Sequence, residues 1–151
     1  MSRDQDVFFM RQAIELAQRA ADYDEVPVGA VLVHDGTVIG TGFNQTISNN
    51  DCSAHAEILA LRNAGQHTGQ YRFPGSTLYC TLEPCAMCAG AMLHARIERL
   101  VIAADDPKAG AAGSVVDLLD DPRLNHRVVL SCGLLEDEAA GILKTFFKQR
   151  R

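Results

Sequence analysis

No run of about 18 apolar residues occurs anywhere in the 151-residue sequence, which argues against a membrane-spanning helix. The N-terminus, Met1-Ser2-Arg3-Asp4-Gln5-Asp6, lacks a cationic region leading into an apolar core, so no secretory leader is expected and the chain reads as a mature cytoplasmic protein. Positive charge is not in excess. The 14 Lys and Arg stand against 19 Asp and Glu, a net charge of -5, which disfavours a generic nucleic-acid coat and leaves only a local basic patch for such a contact. A secreted disulfide framework is missing too, because the five cysteines are odd in number and two of them sit at a metal or redox spacing, Cys85-Ala86-Met87-Cys88. Internal repeats, low-complexity tracts and linkers are absent, and with about 100 to 200 residues per domain as the norm, one domain over residues 1–151 is expected.

What is present is a globular composition, 47% hydrophobic and 22% charged, in a chain long enough to bury about 68 to 70% of its unfolded surface. Phe9, Ala13, Leu16, Ala17 and Ala20 recur at helical spacing and predict an amphipathic helix from about Asp4 to Ala21. Val28 to His34 and Val38 to Phe43 flank Asp35-Gly36, a hairpin signal. A polar loop from Asn44 to Ser53 leads to a helix at about Ala54 to Ala64. A strand at Ser76 to Thr81, a helix at Cys85 to His94 and a strand at Leu100 to Ala103 follow. A short helix near Val115 to Leu119, a strand at Arg127 to Leu130 and a closing helix through Leu135, Ala139, Ile142, Leu143 and Phe146 complete the pattern. Strands alternating with helices after an initial hairpin predict an α/β fold, a three-layer α/β/α sandwich around a mixed five-stranded sheet.

The chemistry lies in His55-Ala56-Glu57 and Pro84-Cys85-Ala86-Met87-Cys88. One neutral imidazole and two thiolates suit Zn²⁺, and Cys85 and Cys88, three apart at a helix start, project from one face. His55 and Glu57, two apart, reach one ion together only if it sits over their helix N-terminus. Such an end also favours thiolates, and Pro84 costs nothing at a first turn. Three ligands leave a fourth tetrahedral position for water, and Glu57 beside it is placed to shuttle a proton. The competing structural arrangement makes Cys52 or Cys80 a fourth ligand and Glu57 a surface acid. Otherwise Cys52, Cys80 and Cys132 read as small, reduced, partly buried residues.

His-x-Glu followed by Pro-Cys-x-x-Cys is the signature of zinc nucleobase deaminases. The likeness goes further. Ala54 to Ile58, Thr81 to Ala91, Gly110 to Ser114 and Asn125-His126-Arg127 resemble the bacterial tRNA adenosine deaminase family, and the resemblance runs from Val26-Pro27-Val28-Gly29-Ala30 to Phe146-Phe147. It implies a cytidine deaminase-like fold, a homodimer, one Zn²⁺ per subunit, a tRNA anticodon stem-loop as partner, no membrane, and hydrolysis of the wobble adenosine to inosine. His55, Cys85 and Cys88 then look like the zinc ligands. By the same resemblance Glu57 looks like the general acid/base that would protonate N1 while an activated water attacks C6. Asn44 and the backbone near Ala56 resemble the groups that hold the flipped base, with Val26 and Pro27 as apolar walls.

The same resemblance places Asp106, Lys108, Phe147, Arg150 and Arg151 against the anticodon loop, where stacking and phosphate pairing are needed. Read without it, Asn44 is a loop cap, and the tail merely complements a helix dipole, with Glu136 to Glu138 at its start and basic residues at its end. Cys52, Gln45 and Asp105 depart from the family's usual residues, and Gln45 and Asp105 lessen positive charge near the expected RNA path. Two rivals remain: a deaminase of free cytosine, cytidine, deoxycytidylate or guanine, and a noncatalytic RNA-binding module folded round structural zinc.

Overall fold

The computed structural model describes residues 2–150. In chain order the elements are α1 (Arg3–Asp22), β1 (Gly29–His34), β2 (Thr37–Phe43), α2 (Ala56–Thr68), β3 (Thr77–Leu82), α3 (Ala86–Ala95), β4 (Arg99–Ala104), β5 (Val129–Ser131) and α4 (Glu136–Gln149). The strands order β2-β1-β3-β4-β5, with β1 antiparallel to both neighbours and the β3/β4 and β4/β5 pairs parallel. This is the mixed five-stranded sheet expected.

Period-two alternation explains why helices cover both faces. Ala30 and Leu32, Leu78 and Cys80, and Leu100 and Ile102 point to one side, where they pack with Ala56, Ala60, Ala64 of α2 and Cys88, Ala89, Met92 of α3. Val31 and Val33, Tyr79, and Val101 and Ala103 point to the other, against Phe9, Met10, Ala13 and Ile14 of α1 and Ala139 of α4. Neither face is solvated, so the three central strands are buried along almost their whole length, with polar residues such as His34, Thr77 and Arg99 at their ends. Among the described residues no helix is long and apolar enough to cross a membrane.

The hairpin forms where Asp35-Gly36 allows it, both residues having positive φ, 49° and 74°. Ser2 and Gln5 close a capping box at the start of α1. The short helix expected near Val115 to Leu119 does not form. That stretch is a set of turns with an Ala112–Asp117 bridge, because its amides are taken elsewhere: Val115 donates to Gly110 at 2.9 Å and Leu118 to Ala111 at 3.0 Å. Two adjacent β-branched valines give helix little local support against those bonds. A second correction concerns cysteines. Cys80 is fully buried, but Cys52 and Cys132 are exposed rather than partly buried, one in the turns before α2 and the other just past β5.

Candidate active site

Because β1 runs antiparallel to its neighbours, its N-terminus lies beside the C-terminal ends of β2, β3 and β4. That single edge gathers Val26 to Val28, Asn44, Glu83 to Cys85 and Asp106. The crevice outside the carboxyl ends of the strands is where α/β sheets bind ligands. A cavity of about 290 Å³ opens there, lined by Val26, Asn44, His55, Ala56, Glu57 and Asp106 among others.

His55 is the N-cap of α2 and Cys85 the N-cap of α3, so two helix N-termini do converge. The turn before α2 is pinned by Asp51, whose carboxylate accepts from the Ser53 amide at 2.9 Å and the Ser53 hydroxyl at 2.7 Å. His55 Nδ1 lies 3.6 Å from Cys85 Sγ and 3.4 Å from Cys88 Sγ. Bond lengths of about 2.3 Å to sulfur and 2.0–2.1 Å to nitrogen put a tetrahedral N···S edge at about 3.6 Å, so the donors fit Zn²⁺. These three residues are the group of possible metal ligands found among the described residues, all donor atoms within 4.8 Å of one another. Neither Cys52 nor Cys80 joins them.

The neighbouring Cys88 side chain lowers Cys85 to about 5 despite burial, while Cys85 and burial push Cys88 up. A divalent ion held by these thiols would require them deprotonated and would release their protons. Glu57, 4% exposed, is pushed up to about 6 by burial, against its backbone hydrogen bond and the neighbouring His55. Cys80, buried beside Glu57, is raised by burial and by that carboxylate.

The structure thus brings together His55, Glu57, Cys85, Cys88, Val26, Asn44, Ala56 and Asp106. Pro27 and Lys108 adjoin lining residues without being part of the lining. Phe147 and Arg150 do not line the cavity: Phe147 is on α4, which packs on the opposite face of the sheet, and Arg150 caps the C-terminal end of that helix. Phe147 is half exposed, while Arg150 sits 3.6 Å from the Phe146 ring centre and 2.5 Å from Asp24. Arg151 lies outside the described residues. Val28, Thr46, Leu82, Glu83 and Ala109 also line the cavity and were not anticipated. Only Glu83 carried a signal, as a lone acid between an apolar strand and Pro84-Cys85.

Three donors leave one tetrahedral position open, as catalytic zinc requires, and a buried carboxylate that is not a ligand stands next to them. That division of labour defines the zinc-dependent nucleobase deaminases. The chain belongs to the cytidine and deoxycytidylate deaminase family, whose zinc-binding region it matches over residues 3–104. Its cofactor is zinc, one ion per subunit. It is 51% identical over 147 residues to the tRNA-specific adenosine deaminase of Haemophilus influenzae, covering 97% of this chain and 85% of that protein. With the tRNA-specific adenosine deaminase of Bacillus subtilis it shares 43% over 147 residues, covering 97% and 91%. A solved structure from work on A-to-I editing by tRNA:A34 deaminases at the wobble position superimposes with a TM-score of 0.87 at 49% identity, covering 90% of this chain and 99% of the other.

Proposed function

We propose that the chain is a tRNA adenosine deaminase that hydrolyses the wobble adenosine of an anticodon loop to inosine and ammonia, acting as a cytoplasmic homodimer of single-domain subunits. The observation that carries this is one cavity gathering Val26, Asn44, Ala56 and Asp106 around Glu57 and the metal group, in a chain with tRNA-specific adenosine deaminases as nearly full-length relatives.

His55, Cys85 and Cys88 would hold the zinc, and bound zinc lowers the pKa of a water from about 15.7 to about 7. Glu57 takes a proton from the attacking water and delivers it to N1 of the adenine. It then moves a proton to the departing amino nitrogen, so that the C6–O bond forms, the C6–N bond breaks and ammonia leaves. Asn44, 8% exposed, holds the base edge from the β2 side, with the Ala56 backbone at the start of α2 and with Val26 and Pro27 as apolar walls. The expulsion of water by these walls strengthens each polar contact inside. Asp106 and Lys108, on the loop after β4, meet the anticodon loop. Phe147, Arg150 and Arg151 add contacts to the same RNA from the tail, off the cavity: Phe147 is exposed on α4, and Arg150 is held by Asp24, two residues before Val26.

The test is inosine formation in an anticodon stem-loop bearing wobble adenosine, run beside free adenosine, cytidine, cytosine and guanine. Turnover of the stem-loop alone supports the assignment. Turnover of a free base or nucleoside with the stem-loop untouched overturns it.

A further inference from the structure

Two carboxylates, Glu83 lining the cavity and Glu25 behind the wall formed by Val26 and Thr46, are neither metal donors nor part of the proton path, and both are enclosed: Glu83 is 3% exposed and Glu25 is 0% exposed. Each accepts hydrogen bonds from one loop that flanks the cavity. Glu83 Oε1 takes the Asp106 amide at 3.0 Å and the Ser114 hydroxyl, while Oε2 takes the Ala112 amide at 3.0 Å and the Ser114 amide at 3.1 Å. The Ala111 amide donates to the Pro84 carbonyl at 2.8 Å, so the loop is fastened directly to the turn that presents Cys85. Gly110 passes so near that a Cβ there would strike the Glu83 carboxylate. Behind the other wall, Glu25 Oε2 takes the Ser48 amide and hydroxyl, both at 2.6 Å, and Oε1 takes the Ile47 amide at 3.1 Å.

Burying an ionised carboxylate is costly unless its lone pairs are filled, and here they are filled by loop N–H and O–H groups. Charge-assisted bonds of this kind are roughly twice as strong as neutral ones. The charge of each acid is thereby spent on the shape of one loop, and those two loops supply Thr46 on one side and Asp106 and Ala109 on the other. We propose that Glu83 and Glu25 are positioning residues for the polynucleotide substrate: they hold the two flanking loops in the shape that receives it and take no part in the proton transfer. This rests on the tRNA reading of the preceding subsection.

Glu83→Gln and Glu25→Gln keep side-chain length but replace one acceptor by an NH₂ group facing the donors. Each variant is compared with wild type for zinc content, amide hydrogen exchange, and kcat and KM on the anticodon stem-loop. The expected result is full zinc, kcat within about twofold, and KM raised about tenfold or more. Exchange quickens only in the variant's own loop: at Asp106, Ala112 and Ser114 for Glu83→Gln, and at Ile47 and Ser48 for Glu25→Gln. Loss of kcat at unchanged KM, loss of zinc, or quickened exchange across the whole chain overturns the proposal in favour of a general structural role. Should either variant fail to fold, Ser114→Ala and Ser48→Ala remove one bond each, and an unchanged KM in both is equally fatal. Wild type that holds zinc yet makes no inosine removes the tRNA reading instead, which keeps the two failures apart.

Discussion

Gly42→Ala probes how tightly the sheet sets the catalytic helix. Gly40 and Gly42 of β2 face α2 with no side chain between. A Cβ on Gly42 would meet the Ala56 carbonyl oxygen, stand 2.6 Å from the Ala60 nitrogen and 3.0 Å from the Leu59 Cβ. Those are mostly backbone atoms, which cannot swing aside, so α2 must retreat by roughly 1 Å to restore normal contact, a displacement able to cost about 100-fold in rate. Ala56 lies between His55 and Glu57, so the retreat moves a zinc ligand and the proton shuttle together. Overpacking of this kind costs about 1–3 kcal/mol. For a chain of this length that is a fall in Tm of about 3–10 °C. Gly40→Ala is the control, since its clash falls on the Ala60 carbonyl and on the Ala64 nitrogen and Cβ, at 2.8 Å each, one to two turns further along α2. Thermal melts, zinc content and kcat/KM for inosine formation are measured on both variants. The prediction is similar melting losses, with zinc occupancy and turnover falling chiefly in Gly42→Ala. Wild-type zinc and activity in Gly42→Ala, or an equal loss of activity in Gly40→Ala, refutes the reasoning.

Asp6→Asn removes the carboxylate that accepts from the Tyr79 hydroxyl at 2.6 Å and from Arg99 at 2.7 and 2.9 Å. Because Arg99 retains some exposure, the loss should be about 3 kcal/mol, the low end for breaking a buried pair, as read by urea denaturation. Burial raises the carboxyls of Asp6, Glu25 and Glu83, but Arg99 and Tyr79 at Asp6, the Ser48 and Ile47 groups at Glu25, and the Ser114, Asp106 and Ala112 groups at Glu83 outweigh it and hold all three below the usual range. Their folded pKa values are therefore depressed. Their stabilisation is complete above the ordinary carboxylate range and lost as pH falls through the lowered values. Melts from pH 7 to pH 2 should show this acid loss, shallower in Asp6→Asn, and a slope of opposite sign would contradict it. Chelation should abolish turnover and lower Tm, with zinc restoring both; activity that survives complete removal of zinc would exclude its catalytic use. Arg11→Ala, by contrast, breaks a half-exposed 3.0 Å pair with Glu138 and should cost under about 1 kcal/mol.

Local signals carried the elements that local physics controls. The Asp35-Gly36 turn, the two-sided apolar strands and the ligand spacing in Cys85-Ala86-Met87-Cys88 each state their geometry within a few residues. The failures came where distant groups decide. Val115 to Leu119 has a helical look, yet the turns there are set by the Gly110 and Ala111 carbonyls and, through Ala112 and Ser114, by Glu83. Glu25, next to Asp24, and the lone Glu83 showed nothing of their role, because their donors lie more than twenty residues away. The Gly40-Thr41-Gly42 alternation marks the strand face pressed against α2. The placement of Arg150 depends on Asp24, 126 residues distant, which no periodicity reveals.

The most direct test of the central claim compares wild type and Glu57→Gln at equal zinc content for inosine formation in the wobble-adenosine stem-loop. The account predicts inosine from wild type alone, with zinc retained in both proteins. Wild-type turnover by Glu57→Gln, or no inosine from zinc-loaded wild type, would contradict it.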